Sequence, residues 1–262
     1  LANVKPLREK IRSGKYDLVH AHFSFCGFVG ALAGAWPLVV SLMGWNVRKP
    51  LLRMMIKLIN RKFWRACIVK SAEMQNYLKI RDLILLPNGV DLELFQPMDQ
   101  QKARTYLGWK PGVVHILFAA NPTRPIKDYP LAKEAFAMLS RNTRAELHVL
   151  RDINHSDMPY LYNAADVVLL TSKAEGSPNV IKEAMACNCK IVSTDVGDVK
   201  ERFGNLPACY ICEHDPADVC SCLLQALEFK GPFNTREAVL RLDSKLIAGK
   251  LLSVYQEIVK TS

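Results

Sequence analysis

The stretch DVVLLTSKAEGSPNVIKEAMAC, Asp166 to Cys187, decides the fold. Val167 to Thr171 is a short apolar run of the kind carried by a strand buried on both faces. A polar loop follows, and then a segment with helical spacing, for which Ser177 is expected as the N-cap and Pro178 as the first helical residue. A helix therefore starts just beyond the carboxyl end of a strand. In an open parallel sheet that crevice is where ligands bind, and free helix amides there stabilise phosphate or developing negative charge. Glu175 stands in the loop, and Glu183 lies about one and a half turns into the helix. Carboxylates only accept hydrogen bonds, which suits them to pairs of hydroxyls. Glutamates eight positions apart are common on solvated helix faces, so their weight comes from their surroundings.

The same alternation of strand and helix extends in both directions. Strands are expected at His115–Ala120, Glu146–Leu150, Val167–Thr171, Ile191–Thr194 and Cys209–Cys212, with helices between them, enough for a doubly wound α/β domain. An earlier series reads as strands at Tyr16–Ala21, Leu38–Leu42, Cys67–Lys70 and Leu83–Leu86. Four strands are few for such a domain, so the N-terminal domain is expected to be truncated, lacking its opening strands. The PNG turn at Pro87–Gly89 and the polar residues up to Gly112 read as a linker. These features predict two domains, residues 1–91 and 92–262. A last helix is predicted over Ser244–Val259, and its return to the first domain is left open by its apolar spacing.

At 262 residues, half of them apolar and 23% charged, the chain has the composition of a globular protein of one large or two smaller α/β domains. Tracts of low complexity and repeats of fixed period are absent from the sequence, which excludes fibrous and solenoid classes. The net charge of +10 is concentrated at the front: residues 1–92 hold 15 Lys and Arg against 5 Asp and Glu, whereas the remainder holds 20 of each sign. An acidic partner is expected there, an anionic membrane surface or a phosphorylated acceptor ahead of nucleic acid, which is not expected to bind. Arg48–Arg65, RKPLLRMMIKLINRKFWR, carries seven of these cations and no acid. Arg53, Lys57, Arg61 and Arg65 share a helix face beside Leu52, Ile56, Ile59 and Phe63, a pattern that fits an interfacial helix on anionic lipid and equally a covering helix with a solvated basic face. The uncharged stretch Leu18–Val47 is long enough for a membrane span, but Gly27, Gly30, Gly34 and Pro37 interrupt it, so buried strands are expected instead. The chain opens on Leu1 without a signal-peptide pattern. Eight cysteines include close pairs without zinc-ribbon spacing; buried free thiols and a reducing compartment are expected, with no metal.

EGSPNVIKEAMAC, Glu175–Cys187, resembles the nucleotide-binding motif of the retaining glycosyltransferases of family four (group 1). The likeness continues through VHAHFSFCG (Val19–Gly27), PLVVSLMG (Pro37–Gly44), LPNGVDLELF (Leu86–Phe95), NPTRPIKDYPLA (Asn121–Ala132), MPYLYNAADVVLLTS (Met158–Ser172) and IVSTDVGDVKE (Ile191–Glu201). It implies a GT-B fold of two Rossmann-like domains with parallel sheets, the second holding a nucleotide-sugar donor and the first a glycan or lipid-linked acceptor. Carried over residue by residue, it implies that Glu183 binds the ribose hydroxyls and Glu175 the donor sugar. The backbone of Gly176, Ser177, Pro178, Asn179 and Val180 would lie close to the sugar and diphosphate, and Arg124 with Lys127 would hold the diphosphate. His22, rather than His20, would touch the sugar or the acceptor hydroxyl, which makes Glu175 and His22 the catalytic candidates.

The implied reaction passes a sugar from a nucleotide diphosphate to a hydroxyl with retention, without metal or cofactor, in polysaccharide, lipopolysaccharide or glycolipid synthesis. The leaving phosphate itself takes the acceptor proton, and the enzyme is a hexosyltransferase of the cytoplasm, peripheral to the membrane. A GT-B epimerase or hydrolase, or an inactive donor-binding module, is the alternative. The chain departs from the family pattern at Asp128, where Gly usually follows the phosphate-binding Lys, and at Met43 and Asn46, where His and an acid are common. The Gly-rich loop that normally follows the first strand has no counterpart.

Overall fold

The computed structural model describes residues 2–151 and 153–261, and the side chains of Trp45 and Asn46 fall outside that description, so the reading of Asn46 does too. In chain order the helices are α1 (Val4–Ser13), α2 (Ser24–Ala33), α3 (Pro50–Phe63), α4 (Ala72–Leu78), α5 (Gln100–Leu107), α6 (Tyr129–Leu139), α7 (Met158–Ala164), α8 (Asn179–Ala186), α9 (Val199–Phe203), α10 (Pro216–Glu228) and α11 (Ser244–Lys260). The strands are β1 (Val19–His22), β2 (Leu38–Ser41), β3 (Ala66–Val69), β4 (Ile84–Leu85), β5 (Val114–Phe118), β6 (Ala145–Val149), β7 (Val167–Leu170), β8 (Ile191–Thr194) and β9 (Cys209–Cys212). Each expected strand forms within a few residues of its predicted place. The largest difference is at β1, which starts at Val19 rather than Tyr16, and the Tyr16 side chain is exposed.

Contacts divide the chain into two units, Leu1–Asn88 with Lys245–Ser262, and Gly89–Ser244. The boundary expected between 91 and 92 compares with one between 88 and 89, and most of α11 groups with the first unit. Two long-range hydrogen bonds hold it there: the Tyr255 hydroxyl lies 2.5 Å from His20 Nδ1, and Arg65 donates to the Thr261 hydroxyl.

The first unit carries a parallel sheet in the order β1-β2-β3-β4. Its core is built on strand β2, buried along its whole length, with Leu42, Ile56, Trp64 and Leu78 packed around it. The uncharged stretch from Leu18 resolves into β1, α2 and β2, and no helix among the described residues is long and apolar enough to cross a membrane. The second unit carries a parallel sheet in the order β6-β5-β7-β8-β9. Strands β7 and β8 are buried at every residue: β7, VVLL, is an unbroken apolar run, while β8 also buries Ser193 and Thr194, whose hydroxyls donate to the carbonyls of Thr194 and Ser172.

The expected linker is structured instead. Asp91 Oδ1 accepts from the amides of Glu93 and Leu94, Phe95 is buried against Tyr162, and α5 follows with Asp99 as its N-cap. Arg236 fastens this segment to the second unit, donating to the carbonyls of Leu92, Phe95 and Ala186. Its many polar residues conceal three buried anchors, Val90, Phe95 and Ala103.

Candidate functional site

In the second sheet the chain leaves β5 for β6 on one side and reaches β7 on the other. The strand order reverses between β5 and β7, and a crevice opens beyond their carboxyl ends at such a point. The loops that follow these two strands are joined there. Thr171 donates its hydroxyl to the carbonyls of Lys127 and Asp128, and the Lys173 amide donates to the Ile126 carbonyl at 2.9 Å. The expected cation and carboxylate are brought together: Lys127 Nζ lies 2.5 Å from Glu175 Oε1, which also accepts from the Ser172 hydroxyl at 2.8 Å. Arg124 is exposed, and its guanidinium has no ion-pair partner among the described residues. Asp128 adopts the left-handed conformation, φ 49°, that the usual glycine would supply, and its carboxylate pairs with Lys173 at 3.2 Å. A short polar side chain tolerates that backbone, so the departure from Gly is accommodated.

The helix after Glu175 starts one residue later than expected. Pro178, with ψ 119°, occupies the cap position of α8, and no side chain caps the helix. The Ser177 hydroxyl is occupied elsewhere, donating to Asp198 Oδ2 at 2.8 Å in a buried contact, and Asp198 also accepts from Arg202 at 3.2 Å. Gly197, at φ 63°, lets this segment approach the Glu175–Ser177 loop; a Cβ there would stand 2.6 Å from the Gly176 carbonyl oxygen. Lys182, fully buried inside α8, directs its ammonium toward the Ser177 carbonyl and Asn179 Oδ1, each at 3.5 Å. Val180 lies in the first turn, beside Asn179.

Glu183 sits further along α8, where the buried Tyr162 hydroxyl donates to its Oε2 at 2.7 Å. Burial raises the Glu183 pKa above the usual carboxylate value, against the opposing pull of Tyr162, His155 and Lys182. The site thus offers two oriented acceptors, a paired lysine, an unpaired arginine and the amino end of an eight-residue helix. Tyr162, Gly197 and Asp198 escaped the reading of the sequence as site residues. All three act through contacts 20 or so positions away, and only their place inside the quoted motifs marks them.

In the first unit the carboxyl edge carries His20, His22 and Lys70. His20 is committed to structure: its Nδ1 lies 2.5 Å from the Tyr255 hydroxyl and its Nε2 lies 2.9 Å from the Ser41 hydroxyl. His22, its ring centroid 4.3 Å from that of His20, is exposed. Burial, then the neighbouring His22 and Lys70, lower the His20 pKa to about 4; burial and Lys70 lower that of His22; burial brings Lys70 to about 8. Phe23, directly after His22, holds φ 78°, a conformation costly for a non-glycine residue.

Two family models match the chain, Glycosyltransferase Family 4 over residues 1–94 and Glycosyl transferases group 1 over residues 115–228. A D-inositol 3-phosphate glycosyltransferase of Arthrobacter sp. (strain FB24) is 24% identical over 268 residues, covering 83% of this chain and 64% of that protein. The putative teichuronic acid biosynthesis glycosyltransferase TuaC of Bacillus subtilis (strain 168) is 29% identical over 217 residues, covering 72% and 55%. The chain thus spans about 55–64% of the length of these relatives. Among solved structures, sucrose-phosphate synthase from Thermosynechococcus elongatus superposes with a TM-score of 0.85 at 18% identity, over 99% of this chain and 78% of its own. Anabaena HepE in complex with UDP and glucose superposes with a TM-score of 0.76 at 19% identity, over 97% and 81%. These likenesses give the fold, which is GT-B.

Proposed function

Because the chain belongs to the group 1, family four glycosyltransferases, we propose that it serves a retaining, metal-independent hexosyl transfer from a nucleotide diphosphate sugar to an acceptor hydroxyl in glycan or glycolipid synthesis. The observation that carries this reading is the pairing of acceptors and cations at one crevice: Lys127 with Glu175 at the crossover of the sheet, and Glu183 held by Tyr162 along α8. Glu183 accepts from the ribose hydroxyls, and Glu175 from hydroxyls of the donor sugar. Arg124 and Lys127 take the diphosphate, the arginine through its forked donors and the lysine as a point charge. Negative charge gathers on the leaving diphosphate as the glycosidic bond breaks. The two cations and the amides of Gly176, Ser177, Asn179 and Val180 meet that charge without reorganisation, an arrangement worth several kcal/mol in enzymes generally. The leaving phosphate takes the acceptor proton, so no carboxylate nucleophile is used, and His22 hydrogen-bonds the sugar or the acceptor hydroxyl. The Anabaena structure is a complex with UDP and glucose, which makes a uridine diphosphate the first ligand to try.

Calorimetry with UDP, GDP and ADP tests the donor half. One nucleoside diphosphate is expected to bind, and Glu183→Ala to weaken it by about 1–3 kcal/mol, the scale of lost charged hydrogen bonds. Unchanged affinity in the variant removes Glu183 from the site. Transfer of sugar to an acceptor separates the transferase from a donor-binding module, which would bind without turnover.

The membrane contact belongs to the same reading. On α3, Leu52 and Ile56 pack inward, while Leu51, Met54, Met55 and Leu58 form a second apolar strip that is exposed, flanked by Lys57, Arg61 and Lys62. An apolar strip edged with cations fits the headgroup region of anionic lipid. Cysteines that are all free support a reducing, cytoplasmic compartment on the inner face of that membrane. Flotation with anionic liposomes is expected to carry the protein upward, with loss of binding at high salt; recovery in the unbound fraction at all salt concentrations rules the contact out.

A further inference from the structure

Away from the carboxyl edge, the second sheet gathers a separate set of ligating side chains. The parallel register sets His115 of β5 beside Glu146 of β6, and His148 follows two residues later on the same strand and therefore on the same face. His115 is fully buried, and its Nε2 faces the Lys110 carbonyl at 2.9 Å. A carbonyl only accepts, so that nitrogen holds the proton and Nδ1 presents a lone pair. His148 Nε2 lies 2.9 Å from this Nδ1. Glu146 divides its two oxygens: Oε1 accepts from Lys110 Nζ at 2.9 Å, and Oε2 stands 4.0 Å from both His115 Nδ1 and His148 Nε2. The indole of Trp109 stacks on His148 with ring centroids 3.6 Å apart and planes within 10°.

Two imidazole nitrogens and one carboxylate oxygen thus lie within 4.8 Å of one another. We propose that His115, His148 and Glu146 form a binding site for a divalent cation of the zinc class, with water completing a four-coordinate shell. The donor set is the nitrogen and carboxylate set that zinc accepts, and one open position is usual where three protein ligands bind. On a tetrahedral ion with bonds of about 2.0–2.1 Å, donor atoms stand roughly 3.3 Å apart. Observed separations of 2.9 and 4.0 Å bracket that value, so shifts of well under 1 Å close the shell. The second layer is already in place. The Lys110 carbonyl orients His115, the Lys110 ammonium orients Glu146, and Trp109 fixes the His148 ring. Binding requires His148 to move its proton from Nε2 to Nδ1, a tautomer change that keeps the ring neutral. The ion would fasten β6, the edge strand, to β5 and to the segment between α5 and β5.

The close cysteine pairs lie elsewhere, and burial lifts the Cys187, Cys209 and Cys212 thiols to about 12, which opposes the thiolate form a metal needs.

The test uses the full chain with Zn²⁺, competed against a chromophoric chelator, and with Co²⁺ as a spectroscopic substitute. One equivalent is expected to bind and to raise Tm. His148→Ala should weaken binding by about 100-fold and Glu146→Gln by at least about tenfold, while Cys209→Ser and Cys212→Ser leave it unchanged. Circular dichroism checks that each variant folds; Glu146, partly exposed on an edge strand, is the safer of the two. Zinc binding equal in wild type, His148→Ala and Glu146→Gln overturns the proposal, as does a Co²⁺ spectrum dominated by thiolate charge transfer.

Discussion

The carboxyl edges of the two sheets carry opposite electrostatics on the same architecture. In the second unit, most charges are matched, with Arg124 the exception: Lys127 faces Glu175, Lys173 faces Asp128, and Arg202 faces Asp198. In the first unit, His20, His22 and Lys70 crowd together, and none has a carboxylate partner among the described residues. Burial and the nearby Lys70 drive the two imidazoles there toward the neutral form, whereas the ions named in the second unit each contact an opposite charge. The difference separates two tasks. An edge of paired ions can exchange one partner for a phosphate or a hydroxyl without exposing a bare buried charge. An edge of neutral imidazoles beside one ammonium is suited to hydrogen bonds with uncharged hydroxyls and has no anion of its own to displace.

The sharpest way to break the matched edge is to disturb its packing rather than its charges. Gly197→Ala places a methyl 2.6 Å from the Gly176 carbonyl oxygen at a backbone angle that disfavours any side chain. The expected loss is about 2–4 kcal/mol of stability in denaturant unfolding, together with loss of nucleotide binding as the Glu175–Ser177 loop is pushed away. Stability within about 0.5 kcal/mol of wild type would mean that the loop yields freely and is not a preorganised part of the site.

The neutral edge is tested by His22→Ala. Donor affinity should stay within about twofold, while transfer to the acceptor falls by about tenfold, the scale of one hydrogen bond of about 1.4 kcal/mol. Steady-state kinetics beside calorimetry of the nucleotide reads both quantities. Equal loss in both would place His22 with the donor and erase the contrast between the two edges.

How far the sequence reaches differs between these regions for a physical reason. Strands buried on both faces are predominantly apolar, and where a polar residue enters, as at Ser41, Ser193 and Thr194, it is a small hydroxyl, so β2, β7 and β8 can be read from LVVS, VVLL and IVST. Glu175, Lys127 and Glu183 were legible because they sit within ordered motifs beside strand ends, and the structure brings the first two into contact. The resemblance favours His22 over His20, but the spacing of two alternating histidines carries no physical reason for it; Tyr255, 235 positions later, is what commits His20. Ser177 reads as a helix cap by its type, yet Asp198 captures its hydroxyl from another loop. Val90, Phe95 and Ala103 are three buried residues in a polar stretch, too few for periodicity to reveal a packed segment.

The smallest effect expected separates what Glu183 does for binding from what it costs the fold. Its carboxyl is partly buried, and its pKa is raised from the ordinary 4.5 despite the Tyr162 hydroxyl at 2.7 Å. A group whose native pKa is raised binds its proton more tightly in the folded state. Its contribution to stability is therefore greatest below pH 4.5 and is lost as pH rises through the native value. Glutamine keeps an oxygen for Tyr162 and carries no charge, so Glu183→Gln should match wild type near pH 4 and exceed its Tm by about 1–3 °C at pH 7–8. The same variant should bind the nucleotide more weakly, because an amide is a poorer acceptor for ribose hydroxyls than a carboxylate. A Tm gain that grows with pH, alongside lost affinity, identifies a charge kept in α8 for its ligand. A Tm that falls at every pH instead identifies Glu183 as a structural partner of Tyr162, and the matched edge then ends at Glu175.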